Sequence, residues 1–105
     1  KIYKNLVYTI ALNSLGKDTS KLRGKWGYFY EFNIKNLEEL KKTVNTKFQT
    51  LSYYGLSKDH MENFFRNSNL EGIDRVVPIG QALDINLLWD GYDLNKILSR
   101  IIDIK

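Results

Sequence analysis

The segment Trp89-Asp-Gly-Tyr-Asp93, with Asp84 just ahead of it, gathers two large aromatic side chains and three carboxylates into ten residues. Loops tolerate many sequences, so one this dense in rings and fixed charges marks a site more often than a connector. Asp90 and Asp93 flank Gly91-Tyr92 and have the residue types of a general acid/base pair, in which one carboxylate takes a proton while the other, protonated, gives one. Their plainer role is capping, because an Asp just before a helix accepts hydrogen bonds from its first free backbone N–H groups. Trp89 and Tyr92 offer apolar area for a ligand chain or a face on which a cofactor stacks. They would equally close a core beneath a following helix. Gln49 and Thr50 stand in an otherwise apolar and aromatic stretch. A buried amide needs partners, which makes Gln49 a candidate site residue, although one backbone carbonyl would satisfy it. His60, the single histidine, follows Asp59 at an expected helix start with no Ser or Cys partner nearby in sequence. Exposure on the first helical turn is its expected state.

Composition narrows the chemistry. The 105 residues contain no Cys, which removes disulfides, thiolate metal sites and a Cys nucleophile and is compatible with a cytoplasmic location. With one His and no Cys, only an all-oxygen metal site is open, and no spacing resembles a calcium loop. The chain carries neither a Gly-x-Ser-x-Gly elbow nor a glycine-rich phosphate loop. An apolar content of 43% with 27% charged residues reads as one soluble globular domain or fragment spanning 1–105. No apolar run approaches the roughly 20 residues of a membrane-spanning helix, no signal peptide is visible, and the absence of an initial Met points to a fragment or trimmed chain. Charge is uneven: six bases up to Lys25 face the single acid Asp18, and the remainder is close to neutral. The basic residues centre on a Gly- and Ser-containing linker at 17–26, which reads either as a phosphate contact or as a solvated connector. No nucleic-acid-binding motif accompanies it.

The elements that would position these residues alternate. Tyr3, Leu6, Val7 and Ile10 recur at helical spacing and predict a leading helix within 1–16, with Gly16 at its C′ position. Gly27 to Ile34 alternates as a strand, with Tyr28, Tyr30, Phe32 and Ile34 on one face. Asn36 with Glu39 has the form of a capping box before a helix that buries Leu37, Leu40 and Val44. Phe48 to Tyr54 predicts a second strand. Ser57 caps the next helix, where Leu56 and Met61 are spaced as a hydrophobic staple. Arg75 to Ile79 is a third strand, and Pro78 must lie at its end or on an edge. A last helix from Asp90 or Asp93 is expected to bury Leu94, Ile97, Leu98 and Ile101, and the tail Ile101 to Ile104 reads also as a short closing strand. The order α-β-α-β-α-β-α predicts an α/β fold, with a narrow, mostly parallel three-stranded sheet covered by helices on both faces. A sheet this narrow reads as part of a larger α/β unit, or as one completed by a partner chain.

Gly72-Ile-Asp-Arg-Val-Val-Pro-Ile-Gly-Gln-Ala-Leu-Asp84, followed by Trp89-Asp-Gly-Tyr-Asp-Leu94, resembles the C-terminal segment of the Lux-type fatty acyl-CoA reductases, of the aldehyde dehydrogenase superfamily. Arg23-Gly-Lys-Trp-Gly-Tyr-Phe-Tyr30, Asn36 to Ser52 with Asn45-Thr46, and Phe48 to Gly55 are also similar. The resemblance covers 23–104 well and the first helix less well. It implies part of an aldehyde-dehydrogenase-like catalytic domain and an NADPH-dependent reduction of acyl-CoA to fatty aldehyde through a thioester enzyme intermediate. The partners implied are the acyl-CoA thioester and the rest of a parent enzyme. Trp89, Tyr92, Asp90, Asp93 and Gln49 become candidates for lining the substrate site. Arg23, Gly24 and Trp26 become cofactor-binding candidates near the nicotinamide ribose, although a Trp26 packed on the sheet is the plainer reading. With no Cys to attack an acyl-CoA, the nucleophile and most of the NADPH site would lie elsewhere in the parent, and this chain would supply one wall of a site. The alternative is a non-catalytic α/β module for interaction or homo-oligomerisation.

Overall fold

A computed structural model describes residues 1–105 except Asn5, Lys17, Ser20 and Lys21. The chain begins in strands. β1 (Ile2–Tyr3) pairs antiparallel with β2 (Val7–Ala11), and β2 pairs in parallel with β3 (Tyr28–Glu31). Tyr8 and Tyr28 are register partners, and their rings stack at 4.6 Å. The leading helix expected within 1–16 is therefore corrected to the β1–β2 hairpin, while β3 falls within the strand expected over Gly27 to Ile34. The 3.6-residue spacing within 1–16 was real, but Val7-Tyr8-Thr9-Ile10 is β-branched and aromatic, and such residues favour a pleated surface once a partner strand is present.

A 3₁₀ helix follows at Leu37–Lys42. The expected capping box is not formed: Asn36 makes no side-chain cap, and Glu39 Oε1 instead accepts from the Lys35 N–H at 3.3 Å. β4 (Thr50–Tyr53), α1 (Lys58–Ser68) and β5 (Arg75–Pro78) form a compact βαβ unit with β4 and β5 parallel. Ser57 caps α1 as expected, its Oγ accepting from the His60 N–H at 3.2 Å, and His60 is exposed. Met61 and Ser68 are buried, with Phe64 and Phe65 half-buried beside them. Asn69, at φ 48°, ends the helix in the left-handed region that suits a short polar side chain. Pro78 is the last residue of β5, where its missing N–H costs no ladder bond.

β6 (Leu88–Trp89) and β7 (Tyr92–Asp93) make a tight antiparallel hairpin, and α2 (Leu94–Leu98) follows it directly. The mixed helix-and-strand composition agrees with an α/β reading, but the element order and the sheet do not. Three small sheets stand in place of one: β1-β2-β3, β4-β5 and β6-β7. The segment carrying the 3₁₀ helix connects β3 to β4 without pairing them.

The core is thin. Met61 is the one buried hydrophobic residue among those described. Ile97, Leu98 and Ile101, expected beneath the last helix, are 58%, 82% and 96% exposed, and the tail is neither helix nor strand. The residues of β3 are all exposed, so its aromatic alternation does not sort one face from the other. The chain exposes 9477 Å², against roughly 6,100 Å² for a compact monomer of its mass. Its radius of gyration is 17.5 Å with extents of 66 × 32 × 28 Å, where a compact domain of this length would have about 13 Å.

Candidate functional site

The hairpin explains the Trp89–Asp93 segment from its residue types. Asp90 and Gly91 are the two turn residues, both at positive φ (51° and 79°). A two-residue hairpin whose twist matches its strands needs this conformation at both positions, and Asp-Gly supplies it with little strain. A Cβ on Gly91 would lie 3.2 Å from the Asp74 carboxylate, so the turn packs closely against the residue before β5. Trp89 and Tyr92 are register partners across the hairpin. Trp89 is half-buried and Tyr92 is 62% exposed.

Asp93 is the N-cap of α2. Its Oδ1 accepts from the Asn95 N–H at 3.1 Å and the Lys96 N–H at 3.4 Å, and Lys96 Nζ lies 3.7 Å from Oδ2. Of the two readings of the Asp90/Asp93 pair, capping describes Asp93, while Asp90 is a turn residue.

Arg75 holds this region together. From the start of β5 its guanidinium donates to the backbone carbonyls of Gln81, at 3.1 Å, Ala82 and Asp84. It also lies 4.4 Å from the centroid of the Trp89 ring. A planar guanidinium with five fixed N–H donors can satisfy several carbonyls and still present a face to an aromatic ring. The turn segment has its own bonds, Gln81 N–H to Pro78 O at 3.1 Å and Asp84 N–H to Gln81 O at 3.2 Å, and Leu94 N–H closes α2 onto Leu87 O at 2.9 Å. From sequence, Arg75 starts a strand and falls within the motif of the resemblance, and neither points to this role. A lone Arg opening an apolar run a short loop before a Trp was the available signal.

Gln49 reaches the same place through its backbone. Its carbonyl accepts from the N–H groups of Asp74 and Arg75 at 2.9 and 3.1 Å. Its side chain is exposed and accepts from Thr50 Oγ1 at 3.1 Å, so the expected buried amide is corrected to a surface one.

The cofactor candidates lie elsewhere, before β3. Arg23 and Gly24 are exposed, and a Cβ at Gly24 would collide with the Tyr28 carbonyl. Trp26 is 95% exposed at φ 51°, which corrects its reading as an aromatic packed on the sheet. Lys17 and Lys21 of the basic linker lie outside the described residues.

Between α1 and β5 a groove of about 610 Å³ is lined by Tyr53, Met61, Phe65, Val76 and Val77, with the exposed Gln81 at its rim. Its volume falls within the range of small-molecule sites. Among the described residues no group of three His, Cys, Asp or Glu could hold a metal ion, and no helix is long and apolar enough to cross a membrane. No protein-family model matches the chain, and no curated protein or solved structure matches it.

Proposed function

We propose that this chain is the C-terminal part of an NADPH-dependent acyl-CoA reductase, in which it forms one wall of the acyl site and the parent supplies the Cys nucleophile and most of the cofactor site. The observation that carries the reading is the uncovered apolar surface. Ile10, Phe29, Ile79, Leu83, Ile85, Leu88, Leu98 and Ile101 are all exposed, on a chain that leaves roughly 3,400 Å² more surface open than a compact monomer would. That excess is several times the ~800 Å² each partner buries in a standard interface, and it is the scale on which domain cores are completed. The resemblance over 23–104 supports the class, and the Trp89–Tyr92 hairpin offers the large aromatic area an acyl chain would contact.

The test pairs two assays with NADPH and a long-chain acyl-CoA, following NADPH fluorescence and trapped aldehyde. The isolated chain gives no turnover, and the polypeptide in which it is embedded forms aldehyde. Turnover by the isolated chain, or none by the parent, contradicts the proposal. The same exposure also favours a second reading, a non-catalytic module that oligomerises. In that case the parent forms no aldehyde and the chain assembles into a defined oligomer.

A further inference from the structure

We infer that Arg75 is a positioning residue that fixes the place of Trp89 and of the groove rim, and thereby sets which acyl chain lengths are accepted. The inference rests on the acyl-CoA reading above. The geometry is specific: one guanidinium gathers the carbonyls of Gln81, Ala82 and Asp84 and lies against the Trp89 ring. Gln81 thus belongs both to the segment Arg75 holds and to the rim of the 610 Å³ groove. Among the described residues the salt bridges do not include Arg75. Its partners are neutral carbonyls and a ring, so it serves to tie a segment in place. A wall held in one position discriminates between chains that reach it and chains that do not, and a loosened wall accepts both.

Arg75→Lys keeps the charge and loses the planar fork, and Trp89→Phe keeps a ring with less area, so both variants are made in the parent enzyme. Two readouts are taken: amide hydrogen exchange at Gln81, Asp84 and Leu94, and the ratio of kcat/KM for long-chain over short-chain acyl-CoA. In Arg75→Lys, exchange at Gln81 and Asp84 rises by about tenfold or more as charged hydrogen bonds are lost. The long-to-short ratio falls several-fold in both variants, through KM more than kcat. A mere loss of folded protein would lower both substrates alike and leave the ratio unchanged. Unchanged exchange in Arg75→Lys overturns the inference, as does faster exchange with an unchanged ratio. If the wild-type parent turns over no acyl-CoA, the functional reading and the chain-length role fail together, while the exchange measurement still decides whether Arg75 holds the segment.

Discussion

Arg75 opens β5 and Trp89 closes β6, and the guanidinium of the first lies 4.4 Å from the ring centroid of the second. This contact, with the three carbonyls Arg75 holds, joins the βαβ unit to the hairpin. Arg75→Ala leaves three carbonyls without their donor, that of Ala82 partly buried and those of Gln81 and Asp84 exposed, and is expected to cost about 1–2 kcal/mol of unfolding free energy. Lys58→Ala breaks only the exposed pair with Glu62 and stays within about 0.5 kcal/mol. Urea midpoints of the two variants check the contrast.

If the proposed acyl-CoA reductase is the parent, Trp89→Ala and Tyr92→Ala lower its turnover more than they lower stability. Trp89 is half-buried under Arg75, so its loss costs about 1–2 kcal/mol of stability. Tyr92, 62% exposed, costs about 0.5 kcal/mol or less. Measuring kcat/KM per folded molecule alongside the urea midpoint separates the two effects. Normal activity per folded molecule would make both residues packing groups.

Asp93 acts as a cap, so Asp93→Asn, which keeps an acceptor for Asn95 and Lys96, is expected to keep near-wild-type turnover and stability. Asp93→Ala loses about 1 kcal/mol. Loss of turnover in the Asn variant, with its melting unchanged, would return Asp93 to an acid/base role.

Ser57 and Asn36 both stand at N-cap positions and respond differently. Ser57→Ala removes a formed bond to the His60 N–H and is expected to cost about 1 kcal/mol. Asn36→Ala removes no side-chain cap and is expected to change stability by about 0.5 kcal/mol or less. Thermal or urea unfolding of each variant checks this.

Where local chemistry decides the conformation, the sequence was readable. Ser57 before α1, Pro78 at the end of β5 and Asp93 before α2 were each legible from residue type, because a cap or a missing N–H acts within a few residues. The first strands were not, because Val7 to Ile10 carries both a helical spacing and strand-forming residues. A partner far along the chain, Tyr28 to Glu31, resolved the ambiguity. The Trp89–Asp93 cluster was found, but its form was misjudged: Asp90-Gly91 is a strong hairpin signal and was read as part of an open loop. Arg75 was passed over because its role depends on carbonyls, which every residue carries and no sequence distinguishes.

The proposal that this chain is one wall of a larger body is tested by sedimentation velocity of the isolated chain across a range of concentrations. With Met61 as the one buried hydrophobic residue among those described and both strands of the β4-β5 pair lying at sheet edges, the account predicts concentration-dependent association above the 12.3 kDa monomer mass, accompanied by binding of a hydrophobic dye. A single compact 12.3 kDa species at every concentration, with no dye bound, would contradict it.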